Sequence, residues 1–278
     1  MWEIYNIIKN IINYEERQVS SFKTRKTLKN DFCLKISNME KTYKNMAGQK
    51  TIALQNINLE VKEGEFISII GPSGCGKSTM LKIVSGLDNP TGGKIEFNEN
   101  FDLNQYIGFV FQDSVLLPWK NVYDNAVFPL EIKKIKTKEN LEKLEKLLAM
   151  AGLSDFKNSL PRELSGGMRQ RVSIVRSLSY DPKLLLMDEP FGALDALTRD
   201  SLNIELLKIW EQTKKTILFV THSIDEAVFL SSKVIVMSPR PGRIKEILDI
   251  DLEYPRTVEI RNNPKFVEYT KYLREVLE

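Results

Sequence analysis

The sequence predicts an α/β fold, with a doubly wound core into which a helical lobe is inserted. Short apolar runs typical of strands alternate with stretches of helical periodicity. One of these runs leads directly into a glycine-rich loop. Between about residues 113 and 167 there is no convincing strand, so strands flank a helical insertion.

The predicted strands are short and mostly apolar. The run FISII, residues 66–70, is continuously apolar and precedes the glycine-rich loop, as a buried parallel strand would. CLKIS and INLEV, residues 33–37 and 57–61, alternate like half-buried strands. Further strands are predicted at residues 93–97, 107–111, 183–187, 216–220 and 233–237.

Three helices are predicted between these strands, at residues 78–87, 137–152 and 200–213. The second has one leucine face, made of Leu141, Leu144, Leu147 and Leu148. Gly152 is a suitable stop signal for it.

Bulk composition argues against several classes of protein. A net charge of +3 on 278 residues gives no strong case for nucleic acid as the main partner. The two cysteines, Cys33 and Cys75, provide no disulfide framework and fit a reducing compartment. No stretch approaches the roughly 18 apolar residues that span a bilayer, and the amino-terminal segment lacks the features of a secretory signal. We therefore expect a cytoplasmic protein that acts at a membrane only through a partner.

The two ends are predicted to stand apart from the core at residues 33–245. Residues 1–32 combine an apolar helical stripe with a basic stretch. They form either a docking helix with a solvated linker or an amphipathic segment on a membrane surface or a permease. In the tail, residues 246–278, a terminal amphipathic helix is predicted that docks on the core rather than regulating it. Its apolar positions are Phe266, Tyr269, Leu273 and Val276.

The glycine-rich loop has the pattern of a phosphate-binding loop between a buried strand and a helix. Its glycines let several N–H groups point inward, where they and the helix N-terminus hold phosphate oxygens. Lys77 is placed to reach the β- and γ-phosphates, and Ser78 to ligate Mg²⁺. The alternative is a structural glycine-rich turn at a helix start. The loop consists of Gly71, Pro72, Ser73, Gly74, Cys75, Gly76, Lys77, Ser78 and Thr79.

Cys75 lies inside this loop, where a helix N-terminus lowers thiol pKa values. We expect alkylation of Cys75 to block nucleotide binding.

Two carboxylates follow the apolar run at residues 184–187. An Asp at the end of a buried strand beside a phosphate loop suits Mg²⁺, so Asp188 is a candidate metal-site residue. Glu189 comes next and is the candidate general base that polarises water. The alternative is a strand that ends in solvated acids.

The segment ELSGGMRQR, residues 163–171, contains a second small-residue loop that opens a helix. Ser165, Gly166 and Gly167 would form another anion-binding helix N-terminus. One ATP does not need two such loops in one subunit, so the second loop is expected to close on the ATP of a second copy of the chain.

These motifs resemble the ATP-binding subunits of ABC transporters, in the expected order, over about residues 33–245. Met168 departs from the commonest signature, which has Gln there, but leaves Ser165 to Gly167 intact. The resemblance implies ATP and Mg²⁺ as ligands and a P-loop NTPase core of the RecA-like type. It also implies an antiparallel β subdomain and an inserted α-helical subdomain at about residues 113–167.

The resemblance gives roles to four further residues. Tyr43 is similar to the aromatic residue that stacks on adenine, although packing is an alternative for it. Gln112 is similar to the glutamine that touches Mg²⁺ and the attacking water. Asp195 is similar to the D-loop aspartate. His222, the single histidine of the chain, is similar to the switch histidine beside the γ-phosphate; by itself it would be interpreted as an ordinary surface residue.

The resemblance also implies partners and a place of action. Two copies close head to tail on ATP and drive separate integral membrane permease subunits from the cytoplasmic face of the membrane. An extracytoplasmic solute-binding protein is an indirect partner, and nucleic acid is not expected. The helical lobe is the expected docking surface, with Trp119 as one contact or, alternatively, as core packing.

Two softer patterns, at residues 116–125 and 237–244, resemble the nitrate, sulfonate and taurine importer group. They predict a small anion as cargo. The alternatives are a motor of another ABC transporter group, a soluble ABC-type ATPase, and a binding module that does not hydrolyse ATP.

Overall fold

The computed structural model describes residues 32–45, 48–98 and 107–278. The predicted extension at residues 1–32 therefore lies outside the described residues, apart from Phe32. Within the described ranges, no helix is both long and apolar enough to span a bilayer.

Nine strands and seven helices form the described parts of the chain. The strands are β1 (Phe32–Lys44), β2 (Lys50–Lys62), β3 (Phe66–Ile70), β4 (Gly92–Phe97), β5 (Ile107–Val110), β6 (Leu184–Asp188), β7 (Thr216–Val220), β8 (Lys233–Met237) and β9 (Ile244–Asp249). The helices are α1 (Lys77–Val84), α2 (Val122–Ile132), α3 (Lys138–Met150), α4 (Gly166–Leu178), α5 (Ala196–Thr213), α6 (Ile224–Leu230) and α7 (Pro264–Leu277). Short 3₁₀ segments lie at Ser154–Phe156, Pro161–Glu163 and Val258–Asn262.

Six strands form the central sheet, in the order β5-β6-β7-β3-β8-β9. The first five are parallel, and β9 is antiparallel to β8 at one edge. Strands β3 and β7 are fully buried, as their continuous apolar runs predict. Because β3, β6 and β7 are neighbours and parallel, the loops after their carboxyl ends meet at one edge of the sheet.

A smaller antiparallel sheet, in the order β2-β1-β4, covers one face of the central sheet. Its apolar side chains form one core with the central sheet and with Met80 and Leu81 of α1. The α/β fold with its antiparallel subdomain agrees with the prediction. The first strand, however, is longer than the predicted residues 33–37 and extends to include Tyr43.

Helices α2 and α3 form a lobe with a core of its own, to which α4 contributes Val172 and Val175. In α3 the predicted leucine face buries Leu144 and Leu148 completely. No strand occurs between residues 113 and 167, which are all described. Helix α2 was not predicted individually, since its apolar residues do not follow a clear helical stripe.

The carboxyl-terminal segment contains one strand that the sequence did not predict, β9, whose side chains alternate between half-buried and exposed. The expected terminal helix is α7, which buries Phe266 and Leu273 against the main core. Arg256 fixes the preceding segment, because its guanidinium donates to the carbonyls of Val228, Phe229 and Ser231 at the end of α6.

Candidate active site

The glycine-rich loop connects the buried strand β3 to helix α1. Gly76 caps α1 with a φ of 108°, a conformation that favours glycine. A Cβ atom at Gly76 would lie 2.6 Å from Cδ2 of Leu54 and 3.1 Å from the carbonyl oxygen of Ala53. Any larger residue would therefore push the loop away from β2.

The Lys77 side chain folds back over this loop and is 4% exposed. Its ammonium donates to the carbonyl of Gly71 at 2.8 Å and to that of Pro72 at 3.0 Å. Cys75 lies beneath, 1% exposed, with Sγ 3.9 Å from the Lys77 Nζ atom. The thiol of Cys75 is therefore buried, and a reagent would have to displace the loop before it could alkylate Cys75.

Ser78 and Asp188 bring two oxygen ligands together beside the loop. The Ser78 hydroxyl donates to Oδ1 of Asp188 at 2.8 Å. Burial raises the pKa of Asp188, and the hydrogen bond from Ser78 opposes that shift. Hydroxyl and carboxylate oxygens are the ligands that Mg²⁺ prefers, and Gln112 lines one cavity together with Ser78. The donor set therefore fits Mg²⁺.

Glu189 and His222 are in direct contact. Oε1 of Glu189 lies 2.6 Å from Nε2 of His222, and the imidazole is half exposed while the carboxylate is largely buried. Glu189 has a φ of 49°, which is strained for a glutamate. Backbone bonds to Val220 at 3.0 Å and from Gly192 at 3.1 Å hold this conformation. A strained backbone conformation thus orients the Glu189 carboxylate.

Most of these residues line one cavity of about 670 Å³, within the usual size range of small-molecule sites. The cavity combines phosphate-loop residues with the carboxylate and imidazole pair, which suits binding of a polyphosphate and hydrolysis of a phosphoanhydride bond. The predicted residues on its wall are Tyr43, Ser73, Gly74, Gly76, Lys77, Ser78, Thr79, Gln112, Glu189 and His222.

Tyr43 is 42% exposed at this cavity. Its hydroxyl donates to Oδ2 of Asp88 at 2.8 Å, and the Lys41 ammonium lies 4.8 Å from the ring centroid. These contacts fix the plane of a partly exposed ring, as a stacking platform requires.

Ser165 and Asp195 lie elsewhere and cap helices. The Ser165 hydroxyl accepts from the Met168 N–H at 3.2 Å, and Asp195 accepts from the Thr198 N–H at 3.0 Å. The two loops are packed together, since a Cβ atom at Gly167 would lie 2.7 Å from Cγ2 of Thr198. Neither loop lines the cavity that contains Lys77.

Comparison with known proteins decides the family. A sequence model of the ABC transporter family matches residues 54–192. An uncharacterized ABC transporter ATP-binding protein of Methanocaldococcus jannaschii is 50% identical over 88% of this chain and 91% of its own length. The chain belongs to the ABC transporter family. Another ABC relative, the aliphatic sulfonates import ATP-binding protein of Bacillus cereus, is 42% identical over 87% of this chain and 95% of its own length.

Solved ABC cassettes have the same fold. A bacterial ABC transporter cassette solved as a dimer is 37% identical, with a TM-score of 0.68 over 79% of this chain and all of that one. A second structure of that same cassette, a dimeric post-hydrolysis state bound to ADP and Pi, gives a TM-score of 0.67 over the same shares of the two chains. The protein is therefore an ATP-binding cassette and an ATPase.

Two residues of this ABC cassette that the sequence did not place at the site, Arg240 and Gly242, hold the phosphate loop from outside. Arg240 lines the cavity and donates to the Gly74 carbonyl from Nη2 at 3.0 Å and from Nε at 3.2 Å. A Cβ atom at Gly242 would lie 1.9 Å from the Cys75 carbonyl oxygen. Both residues belong to the pattern at residues 237–244, which indicated an importer group but not a position in the fold.

The ABC signature helix α4 also holds the segment around Gln112. Gln170 donates to the carbonyl of Phe111 at 3.3 Å. Arg176 donates to the carbonyls of Ser114 and Val115 at 3.1 and 2.8 Å, and burial lowers the pKa of its guanidinium to about 10. Arg176 carries no recognisable sequence signal for this role, because its partners are backbone atoms.

Proposed function

We propose that this ABC ATPase is the motor subunit of an importer for a small anion such as a sulfonate, taurine or nitrate. The relative from Bacillus cereus is named for the import of aliphatic sulfonates. The sequence patterns at residues 116–125 and 237–244 agree with that group. The contact between Glu189 and His222 beside the phosphate loop carries the hydrolytic part of the proposal.

In this proposal the phosphate loop and Lys77 bind the phosphates of ATP. When ATP binds, the Lys77 ammonium gives up its hydrogen bonds to the carbonyls of Gly71 and Pro72. It donates instead to β- and γ-phosphate oxygens. Ser78, Asp188 and Gln112 would hold Mg²⁺, which would supply charge stabilisation on the phosphoryl oxygens. Tyr43 stacks on the adenine, and Thr79 lines the same cavity.

Glu189 is the proposed general base and accepts a proton from the attacking water. His222 donates a hydrogen bond toward the γ-phosphate and keeps the Glu189 carboxylate in line. The left-handed backbone at Glu189 supports this assignment, because strain of this kind is kept where a side chain must be directed accurately.

A second copy of the chain completes the site. Ser165, Gly166 and Gly167 do not line their own cavity, so they are free to cap the γ-phosphate held by another copy. The loop of Asp195 packs beside the Ser165 loop in the same chain, so Asp195 belongs to the same proposed contact surface. The similar cassette solved as a dimer in two states supports a C2 arrangement with two composite sites.

The permease is proposed to dock on the loop before α2. Trp119 is 43% exposed there. Asn125, fully buried, fixes this loop: its amide donates to the carbonyls of Leu117, Lys120 and Asn121, and its Oδ1 accepts from the Leu117 N–H at 2.8 Å. A rigid loop that presents an aromatic side chain is suited to a protein interface. The chain would then lie on the cytoplasmic face of the membrane, and an extracytoplasmic binding protein would deliver the anion.

The proposal is tested by purifying tagged full-length chain from native, detergent-solubilised membranes and identifying co-purifying proteins by mass spectrometry. Recovery of a multi-span permease is expected. That complex, reconstituted in vesicles, should import a radiolabelled sulfonate, taurine or nitrate in an ATP-dependent way. Extraction without an integral membrane partner would favour a soluble ABC-type ATPase. A permease that exports, or that carries none of these anions, would place the chain in another transporter group.

A further inference from the structure

A buried carboxylate lies behind the segment that carries His222. Glu226, in α6, is 6% exposed and accepts a hydrogen bond from the Thr221 hydroxyl. The same hydroxyl accepts from the Ser223 N–H at 3.0 Å. Thr221 and Ser223 flank His222, so Glu226 fixes the residues on both sides of the imidazole.

The other oxygen of Glu226 faces α5, the helix that directly follows the D-loop at residues 193–195. Oε1 lies 3.5 Å from Nδ2 of Asn203 and 3.8 Å from Nε of Arg199. Arg199 also donates from Nη2 to the carbonyl of Leu194 at 2.8 Å, directly before Asp195. A continuous chain of polar contacts therefore joins the D-loop to the segment that carries the imidazole.

Stability does not explain a carboxylate at this position. Burying a charge is costly, and a well-packed apolar side chain of similar volume usually stabilises a fold at least as well. Burial raises the pKa of Glu226, and the hydrogen bond from Thr221 opposes that shift. Its ion-pair partner Arg199 is about one-third exposed and lies beyond hydrogen-bond distance. The polar contacts are therefore better explained by the geometry that they impose.

We propose that Glu226 is a positioning residue that couples the D-loop to the imidazole of His222. This inference rests on the proposed role of His222 and Glu189 in hydrolysis. A displacement of Leu194 moves Arg199, and Arg199 acts on Glu226 and thereby on Thr221. Because Nε2 of His222 lies only 2.6 Å from Glu189, a small displacement changes that contact. Closure of a second copy on the D-loop would in this way adjust the hydrolytic pair.

The single histidine of the chain makes this inference directly testable. In full-length chain with ¹⁵N-labelled histidine, the imidazole NMR signals arise from His222 alone. Glu226→Gln should shift those signals. It should also lower kcat for ATP hydrolysis about 10-fold and leave KM for ATP within about two-fold, because it disturbs orientation rather than binding.

Arg199→Met should give the same changes, and the double variant should be no worse than either single variant, since the two residues act in one chain of contacts. Thr221→Val tests the link at the end next to His222 and should give the same changes as Glu226→Gln. Thr221→Ser, which keeps the hydroxyl, should have the wild-type signals and kcat. These Thr221 variants keep the test decisive if Glu226→Gln does not fold.

Thr213→Val is the matched control. It removes the hydrogen bond from the Thr213 hydroxyl to the Ile209 carbonyl at the far end of the same helix α5, and should leave the imidazole signals and kcat unchanged. Unchanged signals and kcat in Glu226→Gln, or additive losses in the double variant, would overturn the inference. Wild-type turnover in Glu189→Gln would instead overturn the proposed function, whatever the Glu226 variants show.

Discussion

The Nε2 atom of His222 lies 2.6 Å from Oε1 of Glu189, and both residues line the same cavity as the phosphate loop. Strands β6 and β7 are parallel neighbours, with Asp188 paired to Val220, and the two residues follow the ends of those strands. The register of the sheet therefore creates the contact. In the proposed mechanism this contact lets the imidazole orient the carboxylate, while its half-exposed ring remains accessible to a nucleotide.

Glu189→Gln should bind ATP but lose most of its turnover. The amide keeps the size and the contact with His222 and cannot accept a proton, so kcat should fall at least about 100-fold. Because the variant keeps its ATP bound, the chain should then accumulate as a dimer. Size-exclusion chromatography with light scattering measures this. The matched control is Glu60→Gln, an exposed residue paired with Lys35 on the antiparallel sheet, which should behave as wild type. A monomer at ATP concentrations well above the nucleotide Kd would contradict the composite site.

Gly242→Ala should weaken nucleotide binding. The added methyl group collides with the Cys75 carbonyl, so the phosphate loop or the segment after β8 must shift. We expect a Kd for ATP about tenfold higher and a free energy of unfolding lower by about 1–3 kcal/mol. Fluorescent-nucleotide titration and urea unfolding measure the two effects. Gly92→Ala, whose methyl group meets only the flexible Glu40 side chain, serves as control. Equal ATP affinity in both variants would show that the close approach at Gly242 is not needed for the loop.

Trp119→Ala should reduce recovery of the permease from membranes and leave stability and ATP binding unchanged. The side chain is exposed, and the loop that carries it is fixed by Asn125 rather than by Trp119 itself. Pull-down yields measure the effect. Tyr272→Ala, an aromatic residue of similar exposure on α7, should recover as much permease as wild type. Undiminished recovery with Trp119→Ala would place the docking surface elsewhere.

Stability should fall in alkali through Cys33. Burial raises the pKa of this thiol from 9.0 to about 11, so the folded chain holds its proton more tightly than the unfolded chain. The resulting stability is fully present below pH 9 and is lost as the pH rises through 11. Relative to Cys33→Val, wild type should therefore lose about 2 kcal/mol between pH 8 and pH 11. Urea unfolding at both pH values measures this difference.

The control for that measurement is Val61→Ala, a truncation in the same core, which should shift stability equally at both pH values. Lysines and tyrosines that titrate in this range are common to all the variants and cancel in the comparison. A difference between wild type and Cys33→Val that does not change with pH would show that the thiol ionises normally in the folded chain.

The sequence by itself determined the five parallel strands of the central sheet, the phosphate loop and the order of the ATP motifs. Each of these is a contiguous stretch whose chemistry is local. A buried strand, a loop with Gly76 and a helix with Lys77 at its start follow one another directly, so pattern and position coincide.

Only the tertiary structure decided which distant residues support the site. Arg240 bonds to Gly74 across 166 positions of sequence, and Glu226 meets Arg199 only because α5 and α6 pack side by side. The edge strand β9 was missed for a related reason, since its half-exposed alternation is a weak signal until β8 provides the pairing partner. Contacts with backbone carbonyls and between separate helices leave no periodic trace in sequence, because they depend on how the sheet brings its loops together.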